Sequence, residues 1–381
     1  MPEYSLGDLV SAMSAIAPTG TAAPWDNVGL LLGDAADALA GPVLLTIDLT
    51  EAVANEAVSM KAGAIVAYHP PIFSGLKRLT ASTPHGRTLL KLVRAGIGVF
   101  SPHTALDAAE GGVTDWLLTA AVGSDPGPRR AIEPAGQHAP GSAFKVVAFI
   151  PTDPPELIDR IREAMASVGA GEIGAYTRCS FAVPGVGSFH GEESSSPTVG
   201  EAGQLEFVTE LRLEMVCSTG ALAPALAALK REHPYEEPAF DVIKLEPRPT
   251  LAIGAGRVIS LETPQRPSQI AAALKKSLGA GVSVHLAARN DNPISTVGAV
   301  PGSGGSLAPA AASLGCNVFI TGEMKHHDVL ASLDAGCAVI LAGHTETERG
   351  YLPTLESKVR DLLPGATFAI STADRPPLKS V

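Results

Sequence analysis

Two distant stretches of the 381-residue chain repeat one succession: an apolar strand ending in a histidine-bearing turn, a helix, an Ala-Gly pair, a second apolar strand, and then H-T-x-x-acid. In the first stretch, Ala64 to Ala67 runs into Tyr68-His69-Pro70-Pro71, and Arg87 to Arg94 reads as a helix. Ala95-Gly96 follows, and Ile97 to Phe100 leads to His103-Thr104-Ala105-Leu106-Asp107. In the second, Val318-Phe319-Ile320 runs into Glu323 and His326-His327, and His327 to Leu333 reads as a helix. Ala335-Gly336 follows, and Ala338 to Leu341 leads to His344-Thr345-Glu346-Thr347-Glu348. Short strands without polar alternation are buried on both faces, and strands alternating with helices form largely parallel sheets. The expected fold class is therefore α/β, with a discontinuous core of two similar halves and mostly parallel sheets. Ligands of such sheets collect beyond the carboxyl ends of the strands, where His69, His103, Asp107, His344 and Glu348 fall.

Between the halves the pattern changes. Residues 121–142 carry Pro126, Pro128, Pro134 and Pro140 and read as a linker. From Phe144 a different module begins. Lys145 to Ile150 reads as a strand, Pro155 to Val168 as a helix and Ser180 to Val183 as a strand. Glu210 to Cys217 is a further strand, Ala221 to Glu232 a helix and Ala239 to Leu245 a last strand. That succession is the βαβ–βαβ pattern of an α+β ferredoxin-like domain. The expected boundaries are 1–130 for the first half of the core, 143–248 for the insert and 249–381 for the second half.

Bulk properties exclude several roles. A net charge of −11 argues against a direct nucleic-acid partner. No apolar run reaches the length of a membrane span. Met1-Pro2-Glu3-Tyr4 does not open a secretory signal. Cys179, Cys217, Cys316 and Cys337 form no C-x-x-C pair and read as reduced thiols, so a cytoplasmic location is expected, with the nucleus also open. Aromatic residues make up only 4% of the chain, so the core must be built from aliphatic side chains.

Two strand ends related by the repeat can bring His69, Asp107, His344 and Glu348 together. Imidazole and carboxylate are ligands for Zn, Fe, Mn, Co or Ni. A glutamate can bridge two ions, and two ions together can activate a water and hold a substrate oxygen or phosphate. His103 reads as a residue that orients a ligand rather than a ligand itself. His326 and His327, beside Glu323, are expected to line a cleft. Gly302 to Gly305 read equally well as a phosphate cradle or a tight turn, with no Lys-Ser/Thr to make a Walker loop. Trp25-Asp26-Asn27 reads equally well as pocket lining or a turn.

These residues together resemble a known family. Ala67-Tyr68-His69-Pro70-Pro71-Ile72-Phe73, Ser101 to Asp107, Thr321-Gly322-Glu323 with His326-His327-Asp328, and Gly343-His344 with Thr347-Glu348-Arg349-Gly350 are similar to motifs of the NIF-three-like dinuclear metal centre family. Its members carry the name GTP cyclohydrolase 1 type 2 homologue. Trp25-Asp26-Asn27-Val28-Gly29 also matches, and the insert resembles the family's PII/CutA-like module through His233 to Asp241.

The resemblance implies up to two divalent ions per subunit, held by His69, Asp107, His344 and Glu348, with Tyr68, His103, Glu323, His326 and His327 lining the site. It implies a homohexamer built as a trimer of dimers. It also implies either a metal-dependent hydrolase of a nucleotide or other phosphorylated small molecule, GTP cyclohydrolase type 2-like, or a non-catalytic metal-binding scaffold with protein partners and a regulatory role. Many members carry two adjacent histidines where this chain has Tyr68-His69, a form that resembles animal and fungal-type relatives. A phenol with a pKa near 10 is a poorer ligand, so the resemblance leaves the His69–His344–Glu348 set complete and the other position, at Asp107 and the second oxygen of Glu348, with fewer protein ligands and more waters.

Overall fold

The computed structural model describes residues 4–123, 129–137, 142–246, 248–279 and 281–378. The chain divides into two compact units, Met1–Ala135 with Thr250–Val381, and Gly136–Pro249. The first, discontinuous unit holds two α/β sheets.

In its first sheet the strands lie in the order Gly29–Leu32, Gly98–Ser101, Ala64–Ala67, Val43–Thr46, Phe368–Ile370. The first pairing is antiparallel and the other three are parallel. Every residue of the three central strands is buried. The period of two along each strand sorts them by face. Leu44, Ile65 and Val99 pack under the helices Glu51–Ser59 and Pro84–Ala95. Val43, Leu45, Val66 and Phe100 pack against Leu6–Ile16 and Leu352–Leu362. Local chemistry sets the helix ends. The Thr83 hydroxyl accepts from the amide of Gly86 with Pro84 in the first turn, and Gly96 closes the helix in the left-handed conformation at φ 65°.

The second sheet runs His285–Ala287, Ala338–Leu341, Val318–Glu323, Ile294–Ser303, Arg257–Gln265, Arg129–Arg130. Only its three strands from Ala338 to Ile294 are mutually parallel, and the flanking pairings are antiparallel. The expectation of mostly parallel sheets thus fits the first half and fails for the second. Strand–helix succession alone does not set the pairing direction: the Arg257 strand leads directly into the helix Pro267–Leu278, yet it lies antiparallel to Ile294–Ser303.

Residues 121–142 are not a plain linker where they are described. Arg129–Arg130 pairs with Val258 and Ile259 at the edge of the second sheet. Glu133–Gln137 pairs with Arg248–Ala255 as a two-stranded ribbon. Pro134 is tolerated because such a ribbon is all edge. Residues 124–128 and 138–141, which shared that expectation, lie outside the described residues.

The helix that follows each H-T-x-x-acid motif packs in the other half's core. Leu117, Leu118 and Ala121 of Val113–Val122 lie with Ile259, Val297, Val318 and Ile340 of the second sheet. Leu352, Leu355 and Val359 of Leu352–Leu362 lie with Val43, Leu45 and Phe100 of the first. This exchange joins the two carboxyl-end surfaces into one site.

The segment after the last strand locks the geometry. Asp374, 3% exposed, accepts from the Ile47 amide at 2.8 Å and from both terminal nitrogens of Arg349 at 2.5 and 3.1 Å. Glu56 holds this segment by accepting from the amides of Thr372 and Ala373 and from the hydroxyls of Ser371 and Thr372. Burial would raise its pKa, but those hydrogen bonds win and pull it down to about 2. A depressed carboxyl contributes stability above its unfolded value and loses it as pH falls. Glu56→Gln is expected to cost about 1–2 kcal/mol at pH 7 after allowance for solvent screening. The difference from the parent should vanish as the pH falls from about 4.5 towards 2. Urea unfolding at pH 7 and pH 3 checks both statements.

The middle unit has the strands Phe144–Pro151, Phe181–His190, Leu205–Cys217 and Phe240–Lys244 and the helices Leu157–Ala166 and Thr219–Glu232. Its sheet is antiparallel throughout, in the order Phe240, Phe144, Leu205, Phe181. The Phe181–His190 and Leu205–Cys217 strands are much longer than their sequence suggested and form an extended hairpin. The middle unit's helices bury Leu157, Ile161, Ala225 and Leu229 against Val146, Ala148, Leu213 and Met215.

Candidate metal centre

His69 leaves the end of the Ala64–Ala67 strand, where its amide still donates to the Ile47 carbonyl at 3.0 Å. His344 and Glu348 come from the other half. They sit four residues apart, His344 in the turn that opens the short helix Glu346–Arg349 and Glu348 within it, and their side chains meet at 3.4 Å. Ligand atoms of His69, His344 and Glu348 all lie within 4.8 Å of one another, and this group can hold a metal ion.

Each imidazole is oriented from behind. The Nδ1 of His69 meets Asp48 Oδ1 at 2.8 Å, and the Nδ1 of His344 meets Glu323 Oε1 at 2.9 Å. Both Nε2 atoms are thereby left for the centre, where they face different oxygens of one carboxylate. His69 Nε2 is 3.5 Å from Glu348 Oε2, and His344 Nε2 is 3.4 Å from Glu348 Oε1. Glu348 is 3% exposed, and its Oε2 is buried without a hydrogen-bond partner. A carboxylate behind each histidine and a buried carboxylate oxygen left unsatisfied fit a cation better than a hydrogen-bond network.

The neighbouring groups carry strong electrostatic strain. Burial lowers the pKa of His69, but the Asp48 hydrogen bond and the negative charges of Glu348 and Asp48 outweigh it and push it up to about 10. Burial opposes ionisation of Asp48 too, yet the His69 hydrogen bond and charge hold it below the ordinary carboxylate range. Asp107 is pushed up to about 7, first by burial and also by the charge of Glu348, against the Tyr68 hydrogen bond and the nearby histidines. Tyr68 donates its hydroxyl to Asp107 Oδ1 at 2.5 Å. Burial and the charges of Asp107 and Glu348 hold that phenol well above its usual value, so it keeps its proton.

Gly302 roofs the site. It has φ +62°, and a Cβ there would come 2.6 Å from Glu348 Oε1 and 3.1 Å from His344 Nε2. Its amide donates to the Thr347 hydroxyl at 2.9 Å, and that hydroxyl donates to the His344 carbonyl at 2.7 Å. Gly302→Ala is expected to cost about 1–2 kcal/mol in backbone strain and to weaken metal binding by about 10-fold or more. Thermal unfolding and metal content at fixed free metal check it. Full metal content with an unchanged melting point would remove Gly302 from the site.

The model of the family described as Duf34/NIF3 (NGG1p interacting factor 3) matches residues 4–377. The chain belongs to the Duf34/NIF3 family. It is 30% identical over 372 residues to the GTP cyclohydrolase 1 type 2 homolog of Bacillus subtilis, covering 97% of this chain and 96% of that protein. It is 34% identical over 325 residues to the Mycobacterium tuberculosis protein of the same description, covering 84% of this chain and 82% of that one. A Bacillus cereus protein related to NIF3 has a similar structure, with TM-score 0.70, 27% identity and full coverage of both chains. A Staphylococcus aureus protein matches with TM-score 0.77, 26% identity and full coverage of both chains.

In this Duf34/NIF3 chain the nine residues singled out in the sequence fall into three groups. His69, His344 and Glu348 converge, with Glu323 bound to His344. Tyr68, Asp107 and His103 lie alongside: the His103 ring is 5.5 Å from His69 and 5.7 Å from Tyr68, and its Nδ1 meets Asp26 Oδ1 at 2.8 Å. His326 and His327 open the helix His326–Asp334, are both exposed, and meet edge-on at 5.6 Å. Among the described residues no hydrogen bond or ring contact joins them to the cluster, so their expected cleft-lining role has no contact behind it. Asp48 was missed. Its signal was an acid just beyond a wholly buried strand, beside the strand that ends at His69.

Proposed function

We propose that this Duf34/NIF3 chain is a metal-dependent hydrolase acting on a nucleotide or other phosphorylated small molecule. The observation that carries this reading is the convergence of two carboxylate-oriented imidazoles on one buried, unsatisfied carboxylate. His69, His344 and Glu348 would hold one divalent ion, and Asp107 with a Glu348 oxygen would offer a poorer second position, because Tyr68 engages Asp107. A divalent ion there supplies Lewis acidity, polarising a phosphoryl oxygen and making water acidic enough to attack near neutral pH. Asp48 and Glu323 fix the imidazole rings. Arg375 lines a cavity of about 430 Å³ beside His69, with Asp48, Thr50 and Pro70, and offers a cation for a phosphate group.

The test is hydrolysis of nucleoside phosphates and a simple phosphodiester by protein loaded with Zn, Mn, Fe, Co or Ni. Turnover that His344→Ala abolishes supports the reading. No turnover with any loaded metal, or equal turnover in His344→Ala, sinks it.

A second reading, a homohexameric metal-holding scaffold with protein partners, is favoured by apolar side chains left open on the middle unit's hairpin, Val186, Leu205 and Phe207. We read that unit as the family's ferredoxin-like, PII/CutA-like module on its βαββαβ succession. Solution mass and partner capture that survive metal removal would favour the scaffold.

A further inference from the structure

We propose that Trp25 and Phe73 form a ring-stacking subsite on the rim of the metal centre, and that it takes the nucleobase of a nucleoside monophosphate. The inference rests on the metal-dependent reading above and names the substrate class for it.

The chain has only two tryptophans, and one of them is spent on the surface. Trp25 is 64% exposed and Phe73 is 51% exposed. Their rings lie 6.1 Å apart at 50°, and each meets the His103 ring edge-on, at 6.2 and 6.5 Å. His103 in turn lies 5.5 Å from His69. The exposed aromatic pair is therefore continuous with the metal ligands, one imidazole away. That gap is the kind a ribose fills between a base and its phosphate.

The backbone beneath the pair is pinned. Asp26 is buried and accepts from the Thr104 amide at 3.1 Å and hydroxyl at 2.5 Å, besides meeting His103. The Asn27 side-chain amide donates to the Ile72 carbonyl, tying the Trp25 turn to the segment that carries Phe73. Fixed backbones under open rings are what a preorganised stacking surface requires. A flexible, solvated loop would have no use for these part-buried hydrogen bonds. The tilt of the pair leaves no slot between the rings, so a base would lie on the open face of Trp25 with Phe73 at its edge. Base–aromatic stacking of this kind is tolerant of base identity, so the subsite selects a ring over a sugar phosphate more strongly than one purine over another.

The experiment uses full-length, metal-loaded Trp116→Phe protein, in which Trp25 is the remaining tryptophan. It is titrated with GMP, AMP and ribose 5-phosphate while tryptophan emission is followed. Calorimetry on the unsubstituted chain provides the same constants if Trp116→Phe proves unstable. Expected are saturable quenching by both nucleotides, weaker binding of ribose 5-phosphate, and a loss of nucleotide affinity of about 5- to 100-fold in Phe73→Ala and Trp25→Ala. Metal content should stay unchanged in both variants. Equal affinity for nucleotide and ribose 5-phosphate, or no effect of either variant, overturns the subsite. A drop in oligomer mass on Trp25→Ala without a change in nucleotide affinity also overturns it and assigns the rings to a contact between copies. Failure of the metal reading is told apart by His344→Ala: unchanged metal content there sinks the metal site whatever the rings do.

Discussion

Glu348→Ala is expected to weaken divalent-metal binding by at least about 100-fold, since even residues behind a metal ligand are worth about 10- to 100-fold. Among the described residues Glu348 is the one carboxylate that both imidazoles face, and the ligand group there holds no other acid. Elemental analysis of the variant beside the parent checks this, and equal metal content in the two would show that the ion binds elsewhere. The fold should survive, because the short turn that carries Glu348 is held independently by Arg349 on Asp374.

The same centre sets a pH dependence. In the metal-free protein His69 is raised from its ordinary value to about 10. A raised group contributes stability that is complete below its unfolded value, about 6.5, and is lost as pH rises through the folded one. Metal requires the neutral imidazole. Metal affinity should therefore rise with pH over that same window, and binding at pH 7 should release a proton, measurable by calorimetry in buffers of different ionisation heat.

Arg257→Ala is expected to cost about 3–5 kcal/mol, the range for breaking a buried ion pair. Arg257 has no exposed surface. One terminal nitrogen donates to the carbonyls of Gly254 and Gly256 at 2.6 and 2.8 Å. The other donates to Ala108 and Ala109 at 2.6 and 3.1 Å, and Nε faces Asp115 at 3.2 Å. The substitution would take a donor from four buried carbonyls, of which Ala109 and Gly256 keep a backbone amide, from Gly112 at 3.1 Å and Ile132 at 3.4 Å, and would remove part of the compensation for Asp115, which also faces Arg129 at 3.3 Å. Lysine should recover little, because a point charge cannot serve both carbonyl pairs from one position. Urea unfolding of both variants is the measurement, and a loss under about 1 kcal/mol for alanine would show that water replaces the guanidinium. The Ala108 and Ala109 carbonyls end the short helix that carries His103 and Asp107. Arg257→Ala should therefore also disturb the Tyr68–Asp107 pair, although Arg257 touches neither.

Much of this was written in local sequence. Short, mostly apolar runs such as Val43 to Thr46 and Ala64 to Ala67 read as strands covered on both faces, and every residue in them is buried. A histidine and a glutamate four residues apart share one side of a helical turn wherever the turn forms, so His344 and Glu348 were a pair before any tertiary structure existed. The Ala-Gly pairs mark helix ends because glycine accepts the left-handed conformation, as Gly96 and Gly336 do at φ 65° and 80°.

What the sequence left open is the part that depends on distant packing. Asp48 and Glu323 are ordinary acids until the fold sets them behind His69 and His344. His326-His327 looked like a richer motif than either, yet the helix they open carries them onto exposed surface. Arg257 and Asp374 show no local signal, since their value comes from carbonyls and amides far along the chain. The decisive step was the exchange of helices between halves. Apolar faces of Val113–Val122 and Leu352–Leu362 say only that each helix must be buried, because hydrophobic burial has no direction. Which sheet each one covers is settled by shape and by loop length, and that choice brings His69 against Glu348. The sequence determined the central strands, the helices that cover them and the ligand types; only the tertiary structure made one centre of two half-motifs.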